Sequence, residues 1–241
     1  MNLNDITIVV LVKDTPLYLY RWLIWIQQKT LDVKIIIADG SSNQDSFAVF
    51  KVFENKLLNL TYQYREKDKS REIYYSKINY ALNSVKTPYV AVCAPDDLIS
   101  LEGFEHAIHE LNNSPSSVCA RGRIHDFECK PNPSDIWAES IYWKWHKAGP
   151  ALSTYDNRAR IYSHLSEYCL TYHDVTRTEI SKSIFQLQYD LKILDPNLNE
   201  LFLSSLLAIK GPIIRLQSPY LFRAARPNSI SAKLSKKIDT Y

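Results

Sequence analysis

Two adjacent aspartates, Asp96 and Asp97, end the stretch YVAVCAPDD, whose apolar part resembles a buried strand. Like charges side by side repel each other, so such a pair is stable where a cation or several hydrogen-bond donors neutralise it. Mg²⁺ and Mn²⁺ suit this role, because they take one or two protein carboxylates and fill the other positions with water and phosphate oxygens. The alternative is that PDD opens a helix, with one aspartate as N-cap and the other stabilised by the helix dipole.

Other carboxylates also follow apolar runs, and these runs predict the elements that position them. The β-branched stretches at 6–12 and 33–39 are typical of strands buried on both faces, and 60–66 and 89–94 predict two more strands. Between them, apolar residues recur at helical spacing in 16–29, 46–55 and 71–85.

Strands that alternate with helices predict an α/β fold with right-handed crossovers and a mostly parallel central sheet flanked by helices. Ligands bind such sheets at the carboxyl ends of the strands. Asp14, Asp39, Asp96 and Asp97 all follow strand ends and are therefore expected in one crevice.

The second half of the chain is less regular. A helix is predicted at 101–115, a Trp-, Tyr- and Pro-rich stretch follows at 116–176, and a helix at 199–211 leads into a strand that starts at 213. With 241 residues and neither a repeat nor a low-complexity linker, the chain is expected to form one domain with a sizeable core.

The composition excludes several classes of protein. A hydrophobic content of 46% and a charged content of 23% are typical of folded proteins, and a net charge of +3 spread along the chain gives no support for nucleic-acid binding. Five glycines form neither G-x-G-x-x-G nor a Walker A loop, and His106 and His109 lack the further ligands of a zinc site. Four cysteines without a CxxC pair, and the lack of a leader or spanning segment, predict a cytoplasmic protein.

Four segments, in order and spacing over residues 6–100, resemble the family 2 glycosyltransferases of the GT-A fold. VLVKDTP matches the first strand and its polar turn, ADGSSNQD the DDGS-like loop, KINYALNSV the RN-x-(G/A)-L-like helix, and CAPDD the strand that ends in metal-binding aspartates. The resemblance divides the domain 1–241 into a nucleotide-sugar-binding half, 1–100, and an acceptor-binding and catalytic-base half, 101–241.

The resemblance implies roles for the residues that would bind the nucleoside. Val12 and Asp14 would border the nucleobase pocket, and Asp39 would hydrogen-bond the edge of the base. Lys77 or Asn79, on the helix before the fourth strand, would contact the donor.

The resemblance also implies the metal site. Asp97 would bind the Mn²⁺ or Mg²⁺ that bridges the diphosphate, and Asp96 would lie near the ribose or the metal. The chain departs from the family pattern at Ala38, which replaces the first aspartate of DDGS, and at Ala94, where a D-x-D-D form has its first carboxylate.

Inverting members of this family use a carboxylate to deprotonate the acceptor hydroxyl. Glu200 in LDPNLNELFLSSLLAIKG occupies the position of that base, and Asp195 is the second candidate. The structural alternative for Glu200 is a first-turn residue stabilised by the helix dipole.

Two further groups have both a functional and a structural interpretation. Trp137 and Trp145 delimit an aromatic segment that could stack on sugar rings, although its spacing of four also predicts a helix that buries one face. Arg223 and Arg226 could neutralise a diphosphate or be exposed arginines at a strand end. The basic segment KLSKK is most simply a solvated tail, with contact to anionic lipid as the alternative.

Together these features predict a metal-dependent, inverting glycosyltransferase. Its partners would be a nucleoside-diphosphate sugar donor and a glycan or lipid-linked acceptor, at the inner face of a membrane if the tail contacts lipid. The alternatives are a nucleotidyltransferase that makes sugar nucleotides and a non-catalytic nucleotide-sugar-binding module.

Overall fold

A single mixed sheet organises the computed structural model, which describes residues 3–29, 33–128, 134, 142–145, 151–168 and 171–224. The strands among these residues are β1 (Ile6–Val12), β2 (Lys34–Asp39), β3 (Leu60–Tyr64), β4 (Tyr89–Cys93), β5 (Leu98–Ile99), β6 (Cys119–Glu128), β7 (Tyr142–Trp145), β8 (Val175–Arg177) and β9 (Ile213–Ala224). Their order in the sheet is β3-β2-β1-β4-β8-β6-β9-β5, and β7 pairs with β6 outside this order.

The parallel half of the sheet follows the expectation from the sequence. β1 lies between β2 and β4 and is parallel to both, and β2 is parallel to β3. All seven residues of β1 are buried, which explains why its sequence is a continuous apolar run rather than an alternating one. The α/β fold class predicted from this pattern is confirmed.

The other half of the sheet is largely antiparallel. β8 pairs antiparallel with both β4 and β6, β5 with β9, and β7 with β6, whereas β6 and β9 are parallel. The sheet is therefore mixed where the sequence indicated mostly parallel pairing. Part of the stretch predicted to be irregular forms β6 and β8; charged residues such as Arg121, which is buried, hide the apolar pattern of a core strand.

Seven helices among the described residues cover the two faces of the sheet. They are α1 (Pro16–Gln27), α2 (Asp45–Phe53), α3 (Arg71–Ser84), α4 (Leu101–Asn113), α5 (Asn157–Ser166), α6 (Thr178–Asp190) and α7 (Pro196–Lys210). Buried side chains of α1 and α4 form one hydrophobic cluster, and those of α3, α6 and α7 form a second. Over the residues that the structure describes, none of these helices has the length and hydropathy needed to cross a membrane.

Three details differ from the sequence-based expectation. α6 was not predicted, and α7 begins three residues before the predicted start at 199, because Asp195 caps it and Pro196 occupies its first turn. Trp145 lies in β7, paired with His125, so the helix predicted for the aromatic segment is wrong for 142–145. Trp137 lies outside the described residues.

The topology brings several elements to one edge of the sheet. The carboxyl ends of β1, β2 and β4 lie there, and so does the start of the antiparallel β8, since His173 contacts the carbonyl of Val92. The segment between α6 and α7 also reaches this edge, where Lys192 lies 3.7 Å from Glu72 at the start of α3. We call the space along this edge, where these segments meet, the crevice.

Candidate active site

Asp97 lies at the centre of the crevice and is only 4% exposed. Its Oδ1 accepts a 2.8 Å hydrogen bond from the backbone N–H of Ala224, at the end of β9. Its Oδ2 lies 3.6 Å from Nε2 of His173. The carboxylate is therefore held between two distant segments and does not cap a helix.

His173 is held in one orientation from two sides. Its Nδ1 lies 3.0 Å from the carbonyl oxygen of Val92, and the hydroxyl of Tyr220 donates a 2.6 Å hydrogen bond to its backbone carbonyl. A carbonyl only accepts, so Nδ1 carries the proton and Nε2 faces Asp97. Burial lowers the pKa of His173 and favours the neutral ring, whose Nε2 is then an acceptor.

Asp96 is buried beside Asp97, and a residue that the sequence analysis missed supports its backbone. The Arg21 side chain on α1 is fully buried and donates a 2.6 Å hydrogen bond from Nη2 to the carbonyl oxygen of Asp96. Its guanidinium lies 5.1 Å from the ring centroid of Tyr18 and 5.6 Å from that of Phe127. The sequence could have indicated this contact, because Arg21 is the single charged residue in the apolar helix PLYLYRWLIWIQ.

Asp39 is the last residue of β2, the strand next to β1, and it is 1% exposed. Its Oδ1 accepts hydrogen bonds from the backbone N–H and hydroxyl of Ser41 at 2.8 and 2.6 Å. Its Oδ2 accepts one of 2.5 Å from the Tyr62 hydroxyl, and burial together with this bond raises the pKa of Tyr62. Oδ1 of Asp39 thus stabilises the loop that follows β2, and Oδ2 joins the end of β2 to β3.

Val12, at the end of β1, and Asp14, two residues later, contact this loop. Asp14 has a φ of 52°, in the left-handed region that aspartate tolerates better than most residues, and its Oδ1 accepts a 2.7 Å hydrogen bond from the N–H of Ser42. The Val12 side chain is in the core, and its carbonyl accepts from Gly40 N–H and from Lys77 Nζ, at 3.0 and 2.9 Å.

Lys77, whose Nζ also binds the Val12 carbonyl, forms a buried ion pair with Asp68, and its Nζ lies 2.5 Å from Oδ2 of Asp68. Burial raises the pKa of Asp68 and lowers that of Lys77, and their mutual attraction opposes both shifts. Asn79 is also buried, but two residues correspond to about 200° around a helix, so it cannot share the direction of Lys77. Gly40 packs so closely here that a Cβ would lie 2.2–2.4 Å from the carboxyl atoms of Asp68.

The two candidate bases differ in their surroundings. Asp195 is the N-cap of α7, and its Oδ1 accepts from the N–H groups of Asn197 and Leu198 at 3.0 and 2.8 Å. Glu200 lies in the second turn of α7 and is exposed, and its Oε1 accepts a 2.5 Å hydrogen bond from the hydroxyl of Tyr168. Nothing in the sequence indicated that Tyr168 would be the hydrogen-bond partner of Glu200.

The arginines expected to bind phosphate are only partly described. Arg223 pairs with Asp126 across β9 and β6, with Nε 2.9 Å from Oδ1, and its positive charge helps to lower the pKa of the nearby His173. It precedes Ala224, whose N–H binds Asp97, and it already has a carboxylate partner. Arg226 lies outside the described residues.

The donor atoms at the crevice fit a divalent cation held by few protein ligands. The described part of the chain contains no group of three or more His, Cys, Asp or Glu side chains that could hold a metal by themselves. An ion that is also bound by phosphate oxygens needs only one or two protein ligands, and the buried carboxylate of Asp97 could supply one. A groove of about 730 Å³ between α4 and β9 contains none of the predicted site residues.

The comparison with known proteins rests on structure. The sequence matches no protein-family model and no curated protein. One solved structure of TarS from S. aureus aligns with 92% of this chain at a TM-score of 0.61 and 15% identity. The TarS 1–349 complexes with UDP and with UDP-GlcNAc align at TM-scores of 0.59 and 0.61, both with 15% identity, over 92% and 93% of this chain.

The chain spans 37% of the longer TarS chain and 61% and 60% of the two complexes. At this level of identity the likeness establishes the fold. The chain has a GT-A-like glycosyltransferase fold, as its sequence predicted.

Proposed function

We propose that this protein transfers a sugar from a nucleoside-diphosphate sugar to an acceptor hydroxyl, with a divalent cation and with inversion at the anomeric carbon. The observation that carries the proposal is the position of Asp97, buried at the carboxyl ends of parallel strands in a fold that binds UDP-GlcNAc in TarS. Ligands of α/β sheets bind at this edge.

The nucleoside would lie over the ends of β1 and β2. Asp39 and Cys93 end the two strands on either side of β1 and pair with Val12 and Val10, so two strand spacings and the rise of two residues separate them by about 12 Å. That distance suits a nucleoside at the Asp39 loop with its diphosphate near Asp97. UDP-sugars are the first donors to test, because the TarS complexes contain UDP and UDP-GlcNAc.

A cation held by Asp97 would stabilise the charge that develops on the leaving diphosphate. Glu200 would accept the proton of the acceptor hydroxyl. The oxygen of that hydroxyl would at the same time form the bond to the anomeric carbon. The bond from that carbon to the diphosphate breaks on the opposite face, and the nucleoside diphosphate leaves. Glu200 is favoured over Asp195 as the base because Asp195 already caps α7. The acceptor would be a glycan or a lipid-linked glycan.

Transfer or hydrolysis assays with UDP-, GDP-, dTDP- and CMP-sugars test the proposal. We expect turnover of one donor class with Mn²⁺, loss of turnover with EDTA, and a loss of at least about a hundredfold in Asp97→Asn and in Glu200→Gln. Asp190→Asn and Glu179→Gln, which alter exposed carboxylates on α6, are matched controls and should keep full activity.

The same assays distinguish the alternatives. Unchanged turnover in Asp97→Asn would contradict the proposed metal site. Metal-independent donor binding without turnover would indicate a binding module. Release of pyrophosphate from a nucleoside triphosphate and a sugar phosphate would indicate a nucleotidyltransferase.

A further inference from the structure

We propose that His173 is a second protein ligand of the cation bound by Asp97. The inference rests on the proposed function, because it concerns the same cation. It adds a ligand from the start of β8, far from Asp97 in the sequence.

The separation of the two side chains permits both to bind one ion. Nε2 of His173 lies 3.6 Å from Oδ2 of Asp97. Two donor atoms that each lie about 2.1 Å from a common cation are separated by no more than about 4.2 Å. The two atoms therefore need no large movement to share an ion.

The supporting contacts are those that a metal-binding histidine requires. Such a histidine donates its other ring N–H to a carbonyl or carboxylate, which fixes the tautomer and directs the free nitrogen at the ion. Here Nδ1 donates to the carbonyl of Val92, on the strand that leads to Asp97, at 3.0 Å. Tyr220 holds the backbone of His173, and Ala224 N–H holds Asp97, so β9 supports both ligands.

The donor set also predicts which ion is preferred. Mg²⁺ takes oxygen ligands almost exclusively, whereas transition-metal ions accept an imidazole nitrogen more readily. One carboxylate and one imidazole therefore favour Mn²⁺ over Mg²⁺. In a site of oxygen ligands alone, the preference between these two ions would be smaller.

Pulsed EPR of Mn²⁺ bound in the presence of UDP tests the inference directly. In the wild-type protein we expect ¹⁴N hyperfine coupling from a coordinated imidazole, which changes to the ¹⁵N pattern when the histidines are ¹⁵N-labelled. In His173→Gln the coupling should disappear and the Mn²⁺ affinity should fall by more than about tenfold. His106→Gln, on the exposed face of α4, is the matched control and should retain both.

The outcomes separate this inference from the proposed function. Mn²⁺ binding that is lost in Asp97→Asn but shows no nitrogen coupling in the wild type would overturn the role of His173 and leave the glycosyltransferase proposal intact. Coupling that persists in His173→Gln would also overturn it. The labelled wild-type experiment remains decisive if His173→Gln does not fold, because an absent ¹⁵N pattern rejects the inference and a present one supports it.

Discussion

The hydroxyl of Tyr168 donates a 2.5 Å hydrogen bond to Oε1 of Glu200, which joins the segment after α5 to the second turn of α7. The Tyr168 ring also packs against His164, with ring centroids 5.4 Å apart, so the phenol is held by a buried neighbour. A carboxylate on an exposed helix surface has several rotamers, and this contact selects one of them. In the proposed reaction Tyr168 is therefore a positioning residue for Glu200.

Tyr168→Phe removes the hydroxyl and keeps the ring. We expect kcat to fall roughly tenfold with little change in the donor KM, because donor binding does not involve this contact, whereas proton transfer depends on the orientation of Glu200. Steady-state kinetics of both parameters is the measurement.

Two comparisons make this prediction specific. Tyr162→Phe alters an exposed tyrosine of α5 and should leave kcat unchanged. In a Glu200→Gln background, Tyr168→Phe should have no further effect, since the group that it positions is already lost. Equal losses in both backgrounds would show that Tyr168 acts independently of Glu200.

Gly40→Ala tests the proposed nucleoside end of the crevice. A Cβ at this position would lie 2.2–2.4 Å from the carboxyl atoms of Asp68, which is tied to Lys77 and cannot move without breaking that buried pair. We expect the loop to shift and the affinity for UDP, measured by calorimetry, to fall by roughly a factor of ten.

Gly103→Ala is the control for a general loss of stability. Its Cβ would lie 2.3 Å from the carbonyl oxygen of Pro219, a similarly tight contact between α4 and β9. This variant should be destabilised, but once folded it should bind UDP normally. If both variants lost affinity to the same degree, the loop at Gly40 would not be part of the nucleoside site.

His164 should make the fold sensitive to mild acid. It is fully buried, and its Nε2 lies 2.9 Å from the hydroxyl of Ser204. Burial, with a smaller contribution from the charge of Arg121, lowers the pKa of His164 to about 4. The unfolded chain has a histidine pKa of about 6.5, so between these values only the unfolded state binds the proton.

The contribution of His164 to the free energy of unfolding is therefore fully present above pH 6.5. It decreases as the pH falls towards 4, by an amount on the order of 3 kcal/mol. Urea unfolding at several pH values measures it. His164→Gln should be less stable than the wild type at pH 7 but should lose less stability on acidification. Parallel pH profiles for the two proteins would show that another group is responsible.

Much of the structure of the first hundred residues could be predicted from the sequence because the information there is local. The burial of β1 and β2 on both faces produces continuous apolar runs, and parallel pairing brings their ends to one edge, so the positions of Asp39 and Asp97 follow from the strand pattern. The mixed half could not be predicted in the same way, because strands such as β6 contain a buried arginine and β8 has only three residues.

The amino-acid sequence by itself determined the strand and helix pattern of the first hundred residues, the acidic pair after β4, and the class of fold. Only the tertiary structure decided which distant groups support these residues: His173 beside Asp97, Arg21 under Asp96, and Tyr168 on Glu200. The reason is physical. Periodicity reports which face of an element is buried, whereas contacts between side chains on different elements depend on how those elements pack against each other.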